Sequence, residues 1–271
     1  MQTVLITGAS SGYGHATANH FLQQGWSVIA TMRRPDSTLF APSERLRVVE
    51  LDVTDDASIA RAIRDGIQAF GGIDALVNNA GIGLFSAVEA TPAATFRAVF
   101  DTNTFGVMAV SQALIPHLRE RGGGVIINVT SSVCFAGMPL VAPYAASKWA
   151  VEGFTEALFY ELDAVGVRVK LVEPGYAPST RFTANVQDRG AGLIPPAYQA
   201  YADQFIQSFA DAGSVTLPEH VASAIFAAAN DVSDRLRFPA GPDSEALANA
   251  RWNSTDEQFL TGMRSVMRMK R

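Results

Sequence analysis

Thr3-Val4-Leu5-Ile6-Thr7-Gly8-Ala9-Ser10-Ser11-Gly12-Tyr13-Gly14 lies just inside the N-terminus of the 271-residue chain. A short apolar run passes into a glycine-rich turn, which opens a helix-like pattern. The run predicts a buried strand. Gly8, Gly12 and Gly14 allow a tight turn and let backbone N–H groups approach a pyrophosphate at the positive end of a helix. With Ser10, Ser11 and Tyr13 between them, they predict a dinucleotide cradle; an ordinary strand-to-helix loop is the alternative. The motif's mechanism requires a strand before the turn and a helix after it, and both are present here.

Outward from this unit the same rhythm repeats. Apolar runs at residues 3–7, 27–31, 47–51, 74–77, 125–129, 168–172 and 236–238 are separated by helical patterns. Most are rich in Val, Ile and Leu without alternation, as parallel strands covered on both faces require. Between the third and fourth runs, Ile59, Ile63, Ile67 and Phe70 form one helical stripe closed by Gly71-Gly72. The expectation is one α/β domain over residues 1–271, a doubly wound, seven-stranded parallel sheet with helices on both faces. Residues 176–217 contain no strand candidate. So long an insertion predicts a substrate-binding loop or lid, with a plain surface excursion as the alternative. Gly190 and Gly192 are the candidate hinges.

Composition narrows the function. Hydrophobic residues make up 48%, charged residues 17%, and the net charge is −5 with no block of like charge. A nucleic-acid or membrane-surface role needs clustered Lys and Arg, so neither is expected. The low charged fraction is consistent with surface covered by other subunits. Cys134 is the only cysteine, which excludes an intrachain disulfide and points to a reducing, cytoplasmic compartment. No secretion signal or membrane span is read. His15, His20, His117 and His220 have no metal-ligand spacing, so no metal site is expected.

The end of the second run reads as the cofactor selector. A carboxylate about 20 residues past the glycine turn binds the ribose hydroxyl of NAD, whereas arginine accommodates the 2′-phosphate of NADP. Here Met32 stands at the acidic position and Arg33 and Arg34 follow, which favours NADPH/NADP⁺. Two solvated loop arginines are the bland alternative. Tyr144-Ala-Ala-Ser147-Lys148 places a phenol and an ammonium four apart, on one helical face.

These motifs resemble the short-chain dehydrogenase/reductase family. Its Gly-x-x-x-Gly-x-Gly turn is matched by Gly8, Gly12 and Gly14, and its Asn-Asn-Ala-Gly marker by Asn78-Asn79-Ala80-Gly81. The Tyr-x-x-x-Lys signature is Tyr144 and Lys148. Ser131, 13 residues before Tyr144, falls at the family's serine position, and Asn103 at its helix asparagine. The resemblance implies a Rossmann fold and a catalytic set of Asn103, Ser131, Tyr144 and Lys148. It further implies adenine contacts by Asp52-Val53, although Asp52 also suits a turn or cap. Asn79, Ala80 and Gly81 would line the cofactor site, and Pro174-Gly175 the nicotinamide turn. Ser179 or Thr180 would contact the carboxamide. Lys148 would lower the phenol pKa of Tyr144, and Asn103 would position a water linking Lys148 to solvent. The helices after Pro92 and from Tyr144 to Leu162 correspond to those that pair subunits, implying a homodimer or homotetramer.

The expected substrate is a small hydrophobic ketone or secondary alcohol, bulky or aromatic, because Leu84-Phe85, Phe135 through Val141, Tyr176 and Phe182 are apolar. Tyr201 and Phe205 would contact it from the lid. The likeness around residues 81–105 points to the hydroxysteroid and retinol dehydrogenase branch. Two rivals are a non-catalytic NADP-sensing regulator, which has little use for the four-residue set, and a 3-oxoacyl carrier-protein reductase, which needs a basic surface.

Overall fold

The structure, a computed structural model, describes residues 1–178, 180–210 and 214–267. Seven parallel strands form one sheet: β1 (Thr3–Ile6), β2 (Ser27–Met32), β3 (Leu46–Glu50), β4 (Ala75–Asn78), β5 (Gly124–Val129), β6 (Val167–Pro174) and β7 (Arg237–Ala240). Their spatial order is β3-β2-β1-β4-β5-β6-β7, with Leu5 opposite Ile29 on one side and Leu76 on the other. The chain winds outward from β1 through β3, then returns to β4 and winds the other way. Loops after β1 and β4 therefore leave in opposite directions and open a crevice at the strands' C-terminal ends.

Every residue of β1, β2 and β4 is buried, as the unalternating runs predict, whereas edge strand β3 is buried only at Leu46. Successive side chains point to opposite faces. Val4 and Ile6 pack with α1 (Gly12–Gln23) and α8 (Pro218–Asn230) through Phe21, Val221 and Ile225. Leu5 packs on the other face with α2 (Asp56–Phe70), α4 (Gly106–Glu120) and α5 (Ala142–Asp163) through Ile59, Leu114 and Leu158. The Ile59/Ile63 stripe is the buried face of α2. Asp55 caps its start by accepting the Ala57 N–H at 2.9 Å, and Gly71 ends it at φ 77°.

Two local features bear on the site. Helix α3 (Ala93–Phe100) runs into α4 through a single π-helical turn, Asp101–Phe105, which the sequence pattern does not announce. At the other sheet edge, Pro239 sits within β7, opposite Glu173 of β6. Residues 176–217 hold no strand among those described, but two helices, α6 (Arg181–Gly190) and α7 (Pro196–Ala210). α9 (Pro242–Trp252) and α10 (Asp256–Met267) follow β7. No helix among the described residues is long and apolar enough to cross a membrane.

Candidate active site

The glycine turn is fixed by close approaches. Gly8 and Gly12 adopt φ of 69° and 55°, and a Cβ on Gly14 would stand 2.3 Å from the Gly8 carbonyl oxygen. Gly14 therefore lies under the turn, where it lets α1 pack against it, and does not face the crevice. Asn79 holds the turn from the neighbouring strand: its Nδ2 donates to the carbonyls of Thr7 and Gly8 at 3.0 and 3.1 Å. The Asn79 and Ala80 N–H groups both donate to Thr7 Oγ1 at 3.0 Å. Behind them, Asn78 Nδ2 donates to Ser111 Oγ and Asn128 Oδ1, and Asn128 Nδ2 to Thr155 Oγ1. This ladder ties β4 and β5 to α4 and α5, so the crevice floor is rigid.

Above this floor lies a cavity of about 610 Å³. Gly8, Ser10, Ser11, Gly12 and Tyr13 line it, together with Arg33, Asp52, Val53, Asn79, Ala80 and Gly81. Met32, buried, borders it where an acidic residue would sit in an NAD site, and Arg34 does not border it. Asp52 borders the cavity, and its Oδ1 accepts the Thr54 N–H and hydroxyl at 2.9 and 2.8 Å, as a turn residue does. The Thr54 N–H, helped by nearby Arg33, holds that carboxyl below its usual range. Pro174, Gly175 and Tyr176 line the cavity, as does Thr180; Ser179 lies outside what the structure describes.

Ser131, at the end of β5, and Tyr144 and Lys148, on α5, share one wall. Lys148 is almost wholly buried and donates to the Val129 carbonyl at 2.9 Å. Burial pulls its pKa down to about 8 against the raising influence of Cys134 and Glu152. The Tyr144 phenol departs from expectation. Burial pushes its pKa above the usual value, and the Ser131 hydroxyl only partly offsets this. Desolvation disfavours phenolate more than the surroundings favour it.

Asn103 sits in the π turn and does not border the cavity. Its Oδ1 accepts the Ile82 N–H at 2.7 Å, and its Nδ2 donates to the Ile82 carbonyl at 2.8 Å and Ser147 Oγ at 3.0 Å. It thus clamps the loop after Gly81 to the helix bearing Tyr144 and Lys148. A π turn at a functional site is a recurring device for aiming one side chain.

The end beyond Tyr144 is mainly apolar. Phe85 and Phe205 stack with centroids 6.2 Å apart, and the Phe182 ring stands 5.7 Å from Tyr144. Leu84, Met138, Val141, Val186 and Ile206 complete this end. Two expected contacts point elsewhere. Phe135 is buried edge-on against Trp252, at 5.5 Å, because the turn after Ser131 directs it outward. Tyr201 donates its hydroxyl to the Met267 carbonyl at 2.9 Å and does not line the cavity. Gly190 serves as a close approach, with a Cβ there falling 2.1 Å from the Phe85 carbonyl oxygen; only Gly192 has the positive φ, 75°, expected of a special backbone position.

Asp243 and Arg189 border the cavity without having been singled out in the sequence. Asp243 Oδ2 accepts the Tyr176 N–H at 2.6 Å, and a Cβ on Gly175 would collide with that carboxylate. Its one signal is Gly241-Pro242-Asp243, which reads only as a helix start. Arg189 donates to the Gly83 carbonyl at 3.0 Å. Among the described residues, no group of three His, Cys, Asp or Glu could hold a metal.

The family profile described as short chain dehydrogenase matches residues 2–190. The chain belongs to that family. As a short-chain dehydrogenase it is an oxidoreductase, and its family binds nicotinamide cofactors. It is 37% identical to the 3-ketodihydrosphingosine reductase of Bacteroides thetaiotaomicron over 207 residues, 76% of this chain and 74% of that one. Retinol dehydrogenase 8 of Bos taurus is 40% identical over 184 residues, 64% of this chain and 58% of that one. A solved short-chain dehydrogenase from Streptomyces avermitilis superimposes with a TM-score of 0.79 at 30% identity, covering 98% of this chain and 96% of that one.

Proposed function

We propose that the protein is an NADPH-dependent carbonyl reductase, equally an alcohol dehydrogenase, for bulky or aromatic ketones and secondary alcohols. The observation that carries this is the placement of Ser131, Tyr144 and Lys148 on one wall of a cavity whose other end is a glycine cradle. The cradle fits a dinucleotide: Gly8 and Gly12 take backbone conformations that side chains rarely adopt, and the Gly14 position has no room for a Cβ. Arg33 would hold the 2′-phosphate, with Met32 offering no carboxylate to repel it.

When bound, the cofactor supplies the hydride. Ser131 donates a hydrogen bond to the carbonyl oxygen, where negative charge develops. Tyr144 gives its phenolic proton to that oxygen, and in oxidation the phenolate takes it back. A phenol raised by burial stays protonated, which suits an acid poised for reduction. Lys148 favours the phenolate left behind. Asn103 acts as a positioning residue through Ile82 and Ser147.

The apolar end formed by Phe85, Phe182 and Phe205 selects a hydrophobic substrate. A retinol- or hydroxysteroid-type substrate is the second reading, its retinol form favoured by the likeness to retinol dehydrogenase 8. A regulator that only senses NADP has no need of the Ser131–Tyr144–Lys148 wall. Helix faces bearing exposed Trp149 and Tyr160 on α5, with Phe105 in the π turn, support a homodimer or homotetramer. Light scattering should give a mass above the 28.9 kDa of one chain. Incubation with NADPH and a panel of aryl ketones, steroids and aldehydes tests the activity. Absorbance loss with bulky ketones is expected, and NADPH binding without consumption by any of them would overturn the reading.

A further inference from the structure

Behind Lys148 the protein encloses a second set of ionisable groups that the reaction above does not use. Glu152 follows Lys148 by one helical turn and is 5% exposed. Its Oε1 accepts the Thr130 hydroxyl at 2.6 Å, and its Oε2 accepts Arg237 Nε at 3.2 Å. Arg237, on β7, also donates to Glu156 at 2.9 Å. Glu173, on β6, is fully buried, and neither of its carboxylate oxygens has a hydrogen-bond partner of good geometry. Arg237 Nε is 3.9 Å from it, the Phe238 N–H faces it, and Arg235 acts on it only from the surface.

Charge counting constrains this cluster. Lys148 and Arg237 bring two positive charges, and Glu152 and Glu156 two negative ones. An ionised Glu173 would add a buried negative charge offset mainly by Arg237, 3.9 Å away and already bonded to Glu152 and Glu156, which is costlier than a neutral acid. With Glu152 hydrogen-bonded to Thr130 and Arg237, and Glu173 bonded to neither, a single proton is better placed on Glu173. Burial, then the neighbouring Glu152, pushes the Glu173 carboxyl well above the usual range; burial raises Glu152 as well, and there Thr130 and Arg237 work against it. The cleft beside Glu152 also holds Arg251 and Asp256, which pair with each other at 2.7 Å, and the Cys134 thiol, which burial keeps neutral.

We propose that Glu152 and Glu173 form a one-proton carboxyl pair whose single negative charge, seated on Glu152, maintains the Lys148 ammonium and so sets the pH at which Tyr144 exchanges its proton. Glu152 is a positioning residue in a second sense. By accepting from Thr130 it fixes the backbone between Val129, whose carbonyl receives Lys148, and Ser131. The pair is not sealed from bulk pH. Glu152 and Arg237 line a separate cleft of about 310 Å³ between α5 and α9, flanked by Trp149 and Trp252. Protons can reach it there without entering the cofactor cavity.

The proposal rests on the assignment of Tyr144 and Lys148 as the proton-handling pair. Its test is the pH dependence of kcat/KM for alcohol oxidation with NADP⁺. Glu152→Gln removes a negative charge near Lys148, so Lys148 loses its proton at lower pH and favours phenolate less. The midpoint of the profile should then rise by about one pH unit, with the KM for NADP⁺ little changed. Glu152→Asp should bring it back toward wild type. Glu173→Gln replaces a neutral acid by a neutral amide and should move the midpoint much less. No shift in Glu152→Gln, or an equal shift in Glu173→Gln, overturns the proposal. Infrared spectroscopy supplies a reading that needs no turnover and no folded Glu152 variant. Wild type at neutral pH should carry a protonated-carboxyl stretch that Glu173→Gln lacks, and its absence from wild type also overturns the pair. Loss of the Tyr144 and Lys148 assignment would instead appear as normal turnover in Tyr144→Phe, with the infrared band intact.

Discussion

The two ends of the main cavity are built on different principles. The cradle end comes from contiguous motifs at the tips of adjacent strands, held by contacts that admit no alternative side chain: Gly14 against the Gly8 carbonyl, Asn79 across the turn. The apolar end gathers Phe85, Phe182 and Phe205 from distant segments through ring contacts. Steric exclusion leaves a mark in sequence that ring packing does not. The cradle should therefore fail abruptly when altered, and the apolar end should adjust.

Four substitutions test that contrast. Tyr144→Phe, where the two ends meet, removes only a hydroxyl. NADPH should still bind while turnover falls by roughly 10² or more, measured by stopped assay and cofactor fluorescence; near-normal turnover would refute the proton role. Gly14→Ala drives a methyl into the Gly8 carbonyl. Overpacking of this kind costs about 1–3 kcal/mol, so thermal unfolding should come earlier and cofactor should cease to protect the fold. Unchanged cofactor protection would mean the cradle tolerates more than its geometry implies. Arg33→Ala should raise the KM for NADPH about tenfold, the loss of roughly 1.4 kcal/mol of phosphate binding, and leave that for NADH nearly untouched. Equal loss with both cofactors would make Arg33 structural. The smallest effect belongs to the apolar end. Phe205→Leu loses a ring contact worth about 0.5–1.5 kcal/mol, so the ranking of large over small ketones should change a few-fold with NADPH affinity unaltered. An unchanged ranking would separate α7 from substrate choice.

Legibility in the sequence follows the same division. All seven strands stand where apolar runs place them, with ends displaced by one or two residues; in the central strands burial on both faces leaves little choice of residue type. The Ser131, Tyr144 and Lys148 wall is legible because its members have fixed offsets from strand and helix ends. Phe135 and Tyr201 are not, since an aromatic side chain in a loop or on a lid helix has equal use for a cavity or for a neighbouring element. Phe135 found Trp252 and Tyr201 found the Met267 carbonyl. Arg34 differs from Arg33 only by which way the chain turns after β2. Glu173 was hidden for another reason: just past an apolar run it reads as a strand-end residue, and only the folded structure reveals that Arg237 reaches both it and Glu152.

Pro239 carries a consequence for solubility. The carbonyls of Leu236 and Ala240 accept from β6, at Leu171 and Gly175, so the intervening odd-numbered residues direct their backbone groups toward the open side. A strand edge with unpaired N–H groups is a template on which other chains can polymerise. At Pro239 that edge lacks a donor, in the one orientation where proline leaves the β6 ladder intact. A foreign strand aligned there would meet a gap in its hydrogen bonding and a pyrrolidine ring in its path. The edge is thereby a poorer template for strand addition, at no expense to the sheet it terminates.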